Sequence, residues 1–239
     1  MENERDELAK YITQSVLIGV ETLRSEEMPT DIWEDYLSLG SRAVKKKGEH
    51  LVRSGENLHG LYFIDKGRLK TSIISQDGTI KTLSINSEKT IVLSQFVFHQ
   101  QPGIIECVVL EDSELYFFTQ EIVLHLMKEN FAVALYLAKN MAIVSRILAT
   151  QIQDTICHVQ QSLARILYSV YCYEQRDGKL KEQNTIAITH EELANFLGAH
   201  RVTITKALNQ LKHLGVIDYK YEKIIILHEE ELKALAFTV

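Results

Sequence analysis

The sequence predicts an α+β protein of three consecutive parts: an antiparallel β-roll, a long helix, and a C-terminal unit built on a short helix pair. Three observations predict this order. Short apolar runs broken by glycine fill residues 43–118, residues 122–177 lack glycine and proline, and two short helical patterns flank Gly198. The predicted domains are residues 1–128, with N-terminal helices and the roll, residues 129–156, with the long helix, and residues 157–239.

Length and composition exclude several classes of protein. The 239 residues are enough for one large or two small domains, each with a core of its own. No apolar run approaches the roughly 18–20 residues of a membrane-spanning helix. The charged start MENERDELAK is also unlike a secretory signal. We therefore expect a soluble, cytoplasmic protein without a membrane partner.

The residues that usually carry chemistry are sparse. The cysteines, Cys107, Cys157 and Cys172, lie far apart without a CxxC pair, which argues against a disulfide framework, a zinc site or an iron–sulfur cluster. The sequence contains no Ser-His-Asp arrangement, metal-ligand cluster or phosphate loop. We expect no catalytic residue, metal or cofactor, and the chain is not predicted to be an enzyme.

The net charge of −6 is unevenly distributed. Residues 156–239 carry ten Lys and Arg against ten Asp and Glu, so the whole acidic excess lies upstream. Binding of a polyanion by the C-terminal part must therefore come from the local placement of its cations, not from bulk charge.

The N-terminal part changes from helical to strand periodicity. Two helical patterns come first, Leu8, Tyr11, Ile12 and Val16, then Ile32, Trp33, Tyr36 and Leu37 after the start signal Thr30-Asp31. From Ala43 to about Phe118, glycines punctuate short apolar runs, and Gln76-Asp77-Gly78 is a strong hairpin signal. An antiparallel roll of roughly eight strands fits this pattern best.

Two apolar stripes run along the predicted long helix at near-heptad spacing. One contains Leu137, Met141, Val144 and Leu148, and the other Leu135, Ala138, Ala142, Ser145, Ala149, Ile152 and Ile156. The first stripe is predicted to pack on the roll. The second, small and apolar, is predicted to form a parallel dimer seam, although a single central core helix is the alternative.

The stretch ITHEELANFLGAHRVTITKALNQLKHLGVI encodes the helix pair. A capping box from Thr189 to Glu192 starts the first helix at His190, which buries Leu193, Ala194 and Leu197, and Gly198 supplies the turn. The second helix, about Arg201 to His213, buries Ile204, Ala207, Leu208 and Leu211 and exposes Arg201, Val202, Thr203, Thr205, Lys206 and Asn209. Two strands round Lys220–Lys223 complete a winged helix-turn-helix. This motif is predicted to read DNA, and the alternative is a purely structural role.

From about Ala43 onward the chain resembles the Crp/Fnr superfamily, in the helix-pair stretch and in the glycine pattern of the roll. The resemblance implies a cyclic-nucleotide-type antiparallel β-roll that senses a small effector, a dimerisation helix, and a C-terminal winged helix-turn-helix that binds palindromic DNA. A homodimeric transcription factor is therefore expected. The residues expected to contact DNA are His200, Arg201, Val202, Thr203, Thr205 and Lys206.

The chain departs from the nucleotide-binding members where they hold the ribose and cyclic phosphate. Leu93-Ser94 and Gly103-Ile104 stand there, and without a cation a bound phosphate would lack compensation for its desolvation, so cAMP is not expected. Apolar residues suggest an aromatic or hydrophobic effector instead, as in the similar halophenol-sensing (CprK-like) regulators of reductive dehalogenation. The predicted pocket residues are Leu93, Phe96, Phe98, Ile105, Cys107, Leu137, Met141 and Val144. The alternative is that this apolar stretch is ordinary core of the roll without a pocket.

Two functional hypotheses follow. The first is an effector-gated regulator, expected to be an activator that contacts RNA polymerase, with the loop Gln175–Glu182 at the position where activators of this family do so. The second is an effector-independent or thiol-redox-switched regulator. Related members carry glutamate at the position of Val202. The replacement by valine predicts pseudo-palindromic DNA with A·T-rich half-sites resembling TTAAT.

Overall fold

A computed structural model describes residues 30–99, 101–176, 184–220 and 223–237. The first predicted helical pattern (Leu8 to Val16), most of the loop Gln175–Glu182 and the tip of the predicted wing lie outside the described residues. The chain divides into two compact units. Over the described residues, one contains residues 30–74 together with Leu83–Arg146, and the other contains Ser75–Thr82 together with the residues from Ile147 onward.

The roll consists of two four-stranded antiparallel sheets, which confirms the predicted number of strands. Its strands are β1 (Ser41–Lys45), β2 (His50–Val52), β3 (Gly60–Lys66), β4 (Arg68–Ile74), β5 (Ile80–Ser87), β6 (Thr90–Val92), β7 (Glu106–Val109) and β8 (Ser113–Thr119). The strand orders are β1-β8-β3-β6 and β2-β7-β4-β5. A 3-10 helix, Thr30–Leu39, precedes the roll where the second helical pattern begins, and a short one, Ser94–Val97, follows β6.

The hairpin between β4 and β5 turns at Gly78, as the sequence predicts. Gly78 has φ +83°, in the left-handed region that glycine adopts without strain. The Asp77 carboxylate accepts hydrogen bonds from the Ser75 hydroxyl and, at 3.0 Å, from the Thr79 amide. These bonds lower the pKa of Asp77 to about 2, so the carboxylate that holds this turn stays ionised far below neutral pH.

Two apolar clusters hold the roll together. The first surrounds Trp33, which is fully buried and meets the rings of Phe118 and Tyr136 edge-on, at centroid distances of 5.2 Å and 6.1 Å. The second contains Val52, Ile64, Leu69, Val92, Leu93, Phe96, Cys107, Val109 and Leu115. Full burial of one such large side chain contributes about 1.5–3 kcal/mol, so the two clusters together are a main source of the stability of the roll.

The long helix α2 (Phe131–Ile156) follows the shorter helix α1 (Gln120–Glu129). Its buried side chains are Val133, Tyr136, Leu137, Asn140, Ile147 and Gln151. The predicted seam stripe is exposed in the single chain at Leu135, Ala138, Ala142, Ser145, Ala149 and Ile152, whereas the side chain of Ile156 is not described. The stripe proposed for a partner helix is therefore exposed over its described side chains.

The assignment of the other stripe was wrong except at Leu137. Met141, Val144 and Leu148 are 42%, 41% and 39% exposed and flank the exposed seam stripe. The buried face runs instead through positions such as Asn140, whose polar side chain interrupts the apolar pattern. Because apolar stripes with similar spacing lie side by side on this helix, spacing alone could not show which of them packs on the protein.

The expectation that no apolar run approaches membrane-spanning length also needs correction. Phe131–Ala149 of α2 is long and apolar enough to cross a membrane by length and composition. Such a helix is also found in soluble proteins when one face packs on the protein, and Val133, Tyr136 and Leu137 are buried here. The stretch further contains Lys139 and Arg146.

The C-terminal unit combines four helices with a small sheet. They are α3 (Val159–Arg176), α4 (His190–Leu197), α5 (Arg201–His213) and α6 (Glu229–Phe237). Two predicted strands, β10 (Ile217–Lys220) and β11 (Lys223–Ile226), form the antiparallel wing. A third strand, β9 (Thr185–Ala187), pairs with β11 and was not predicted, because three residues with one buried side chain, Ile186, are too short to show alternation.

Candidate nucleic-acid interface

Helix α4 begins at a closed capping box, as predicted. The Thr189 hydroxyl accepts from the Glu192 amide at 3.0 Å, and the Glu192 carboxylate accepts from the Thr189 amide at 2.8 Å. Leu193 and Ala194 are buried, while Leu197 is only partly buried. The N-terminal amides of α4 are therefore partly satisfied by its own side chains, and two acidic residues lie in the first turn.

Gly198 makes the turn between α4 and α5. Its φ of +63° lies in the left-handed region, and the next amide, that of Ala199, donates to the Ala194 carbonyl at 3.0 Å. A residue with a side chain would be strained at this φ. The tight turn therefore depends on glycine at this position.

Helix α5 has the opposite kind of N-terminus. The His200 side chain makes no capping hydrogen bond, and the first turn carries no acidic residue. No acidic residue of the first turn compensates the positive end of the helix dipole, and Arg201 is exposed beside it. This arrangement favours a phosphate group of a partner.

The buried and exposed faces of α5 largely match the prediction. Ile204, Ala207, Leu208 and Leu211 are buried in the core of the C-terminal unit. Of the predicted DNA-contacting residues, His200, Arg201, Val202, Thr203 and Lys206 are exposed. Val202 is 66% exposed, so its apolar side chain is accessible to a partner on the outward face of α5.

Thr205 differs from its prediction. Its side chain is half-buried, and its hydroxyl donates to the Arg201 carbonyl at 3.0 Å and lies 3.2 Å from His190 Nδ1. Because the hydroxyl has one proton, the His190 Nδ1–H is the donor in the second bond. Thr205 therefore joins α4 to α5, and its hydroxyl is already occupied inside the protein.

Sequence reasoning missed a group of residues beside this joint. The ring of Tyr219, in β10, meets His190 edge-on at 5.2 Å, and its hydroxyl donates to Asn209 Oδ1 at 2.9 Å. Lys212 Nζ lies 5.2 Å from the centre of the same ring and 2.5 Å from Asp218 Oδ1. The only available signal was the Asp-Tyr-Lys run before the wing, which does not reveal which helix it contacts.

Two pKa values in this group follow from these contacts. Burial, and secondarily the charge of Arg201, lower the pKa of His190, so the imidazole is neutral at pH 7. The hydrogen bond from Lys212 lowers the pKa of the Asp218 carboxyl. At neutral pH the group therefore combines a neutral histidine with an intact ion pair.

The predicted effector-pocket residues do not form one surface. Leu93, Phe96 and Cys107 are buried together in one cluster of the roll, with Ile105 packed against it. Leu137 belongs to the cluster around Trp33. Phe98, Met141 and Val144 are each more than 40% exposed. Their role in binding an effector stays a prediction.

The turn at Leu93-Ser94, which corresponds by resemblance to the ribose-binding pair of the nucleotide-binding members, is held by an internal hydrogen bond. Leu93 adopts the left-handed conformation with φ +66°, and Ser94 follows it at the start of the short 3-10 helix. The Ser94 hydroxyl donates to Asn140 Oδ1 of α2 at 2.9 Å, and both side chains are buried. The Ser94 hydroxyl is thus hydrogen-bonded to the long helix.

The three cysteines differ in environment. Burial raises the pKa of the Cys107 thiol to about 12, so it carries almost no thiolate at neutral pH. Burial also raises the pKa of Cys172, while Cys157 Sγ lies 3.8 Å from the guanidinium of the buried Arg165. Among the described residues, no group of three or more His, Cys, Asp or Glu could hold a metal ion.

We expect Cys107 to resist thiol reagents in the folded protein. Because the thiol is fully buried and protonated, Ellman's reagent at pH 7.5 should label it only after the roll unfolds. Mass spectrometry of the labelled native chain, with a urea-unfolded sample as the control, measures this site by site. Rapid labelling of native Cys107 would contradict the placement of this side chain.

Comparison with known proteins agrees with this architecture. The family of Crp-like helix-turn-helix domains matches residues 161–235, and the cyclic nucleotide-binding domain family matches residues 43–130. The chain is 27% identical to the anaerobic regulatory protein of Bacillus subtilis (strain 168), over 90% of this chain and 91% of that protein.

Solved structures show the same fold. A putative transcriptional regulator of the Crp/Fnr family from Eubacterium rectale is 24% identical, with a TM-score of 0.68 over 86% of this chain and 97% of that one. CprK complexed with OCPA is 20% identical, with a TM-score of 0.66 over 85% of this chain and 92% of that one. Because the identities and TM-scores of these two structures are so close, they do not assign the chain to the CprK-like branch. The two matched domains, in this order and with this geometry, make the chain a member of the Crp/Fnr family of DNA-binding transcription regulators.

Proposed function

We propose that this chain is a cytoplasmic, homodimeric activator of transcription that reads a pseudo-palindromic DNA site. The observation that carries the proposal is the free face of α5, where Val202 and Lys206 are exposed next to an N-terminus that the chain leaves uncapped. A helix of this kind fits the major groove, with its first residues at the base edges and its N-terminal amides near phosphates.

The exposed stripe of α2, from Leu135 to Ile152, supports the homodimer. Apolar residues such as Leu135 and Ile152 are 44% and 67% exposed in the single chain, and small residues between them allow a second helix to approach closely. A parallel pair formed along this stripe is isologous, so each protomer contributes the same face. The two α5 helices then meet half-sites about one DNA turn, ~34 Å, apart.

RNA polymerase is the proposed protein partner. The support is the family resemblance to activators and the chain position of the loop Gln175–Glu182. The proposed half-sites are A·T-rich and resemble TTAAT, because Val202 offers an apolar surface and no hydrogen-bond acceptor to a base pair.

The proposed effector is a small aromatic or hydrophobic molecule and not cAMP. The support is that Leu93-Ser94 and Gly103-Ile104 stand where the resemblance places the ribose-binding and phosphate-binding pairs, and that the Ser94 hydroxyl is bonded to Asn140. CprK, a structural neighbour, is complexed with OCPA in its solved structure. We place the hinge between the long helix and the DNA-binding unit near Cys157–Val159, because α2 ends at Ile156 and α3 begins at Val159.

An effector-independent regulator is the second candidate. It is favoured by the complete burial of Phe96 and Cys107 and by the internal Ser94–Asn140 bond, which together fill the region with the protein's own side chains. A thiol-switched form of this candidate would have to act through Cys157 or Cys172, because Cys107 is buried and protonated.

One titration separates these candidates. The affinity of the full chain for a duplex with two TTAAT half-sites is measured with and without chlorinated phenols, under reducing and oxidising conditions. An increase with ligand supports gating, a change only with oxidant supports the thiol switch, and constant tight binding supports the effector-independent form. Absence of specific binding in every condition would remove the proposed function itself.

Gating makes a further quantitative prediction. A ligand shifts the DNA-binding equilibrium only through its different affinities for the two states, so ligand and DNA must strengthen each other's binding by the same factor. Calorimetric titration of ligand into free protein and into the protein–DNA complex measures both sides of this cycle. Equal ligand affinity in the two titrations would eliminate the mechanism.

A further inference from the structure

Tyr219 and Asn209 form a contact between the wing and helix α5. Asn209 is an exposed residue in the middle of α5, and Tyr219 lies in the first strand of the wing. The Tyr219 hydroxyl donates to Asn209 Oδ1 at 2.9 Å. This bond turns the carbonyl end of the amide toward the wing and leaves its Nδ2 donors on the side away from Tyr219.

Asn209 lies on the same face of α5 as the predicted base-reading residues. It follows Val202 by seven residues, nearly two helical turns, so the two side chains point in almost the same direction. At 1.5 Å per residue the separation along the helix is about 10 Å, which corresponds to about three base-pair steps in the groove.

The tyrosine is itself held in place from two sides. His190, at the start of α4, meets the ring edge-on at 5.2 Å, and Lys212 lies over it at 5.2 Å. The hydrogen bond from Lys212 to Asp218 fixes the lysine, and the Asp218 carboxylate also accepts from the Tyr219 amide at 2.8 Å. The orientation of Asn209 is therefore set before DNA arrives, which reduces the entropy lost on contact.

Resting on the proposed function, we infer that Asn209 is a further base-reading residue and that Tyr219 is the residue that positions it. With its orientation fixed, the amide donates from Nδ2 to an acceptor at a base edge, such as purine N7. The partner base pair lies about three steps from the pair that faces Val202. The wing thus contributes to sequence reading through a side chain of the recognition helix.

A double-mutant cycle tests this inference on the full-length chain. Asn209→Ala should weaken binding to the selected operator about fivefold, and Tyr219→Phe about threefold, as expected for a single neutral hydrogen bond and for the loss of its orientation. In the Asn209→Ala background, Tyr219→Phe should have no further effect, because the residue that it positions is gone. Random-sequence DNA should be bound as before by both variants.

The controls separate positioning from folding. Tyr219→Phe keeps the ring contacts with His190 and Lys212, so its thermal unfolding should match that of the unchanged protein. The equally exposed Gln210→Ala should show no coupling to Tyr219→Phe. Selection from random DNA should lose preference at one base pair for Asn209→Ala and Tyr219→Phe alike.

Two results would overturn the inference. One is additive losses in the cycle, and the other is an Asn209→Ala variant that weakens operator and random DNA equally, which would make Asn209 a phosphate contact. Both results require an unchanged protein that selects a specific site. If the unchanged protein selects no specific DNA site, the proposed function itself is wrong, and that result is distinct from a failure of the inference on Asn209 alone.

Discussion

Replacing both Ala142 and Ala149 with glutamate should convert the protein into monomers and remove at least about a hundredfold of its operator affinity. Both alanines lie on the exposed stripe of α2. In a parallel pair of helices, each glutamate would face its copy across the seam, so four carboxylates would be desolvated without cations. Loss of the dimer breaks the simultaneous binding of two half-sites, and the remaining affinity is that of one α5 helix.

Analytical ultracentrifugation and titration with a fluorescent operator duplex measure the two effects. Ala234→Glu is a matched control, because Ala234 is an exposed alanine on helix α6. It should leave both sedimentation and operator affinity unchanged. A doubly substituted protein that still sediments as a dimer would place the seam on another surface.

The two helix faces show what periodicity can and cannot resolve. On α5, one apolar face alternates with polar residues, and the predicted buried set, Ile204, Ala207, Leu208 and Leu211, is the observed one. On α2, apolar residues cover more than one face, and the packed face includes the polar Asn140, which bonds to Ser94. Only the shape of the roll decides which face is covered, and that shape is absent from the periodicity.

Local sequence signals correctly predicted the start of α4 and the turn between α4 and α5. The capping box at Thr189 and the left-handed Gly198 are determined by residues within one or two turns, so the sequence alone contains them. The contacts of Thr205 with His190 and of Tyr219 with Asn209 join residues 15 and 10 positions apart on different elements. They depend on how the helices and the wing pack, which no local pattern encodes.

Val202 is expected to determine one base pair of each half-site. It occupies the second position of α5, is 66% exposed, and lies on the outward face with Lys206. Related members of the family have the pattern Arg-Glu-Thr-x-x-Arg, for which this chain has Arg201, Val202, Thr203 and Lys206. A glutamate there accepts a hydrogen bond from cytosine N4 and selects G·C, whereas valine offers only an apolar contact to a thymine methyl group.

Substituting Val202→Glu should therefore move the preference at this base pair from A·T to G·C by about 1–3 kcal/mol, changing the selected half-site from TTAAT toward TTGAT. Val44→Glu, the same change at an exposed position of β1, is the control and should leave the preference unchanged. Lys206→Ala should weaken operator binding more than binding to random DNA, because its role is predicted to be at or near base edges. Selection from random duplexes, followed by competition between the two half-site forms at fixed salt, measures these differences. If the unmodified protein selects G·C at this position, Val202 does not face the base, and the docking of α5 in the groove must be different.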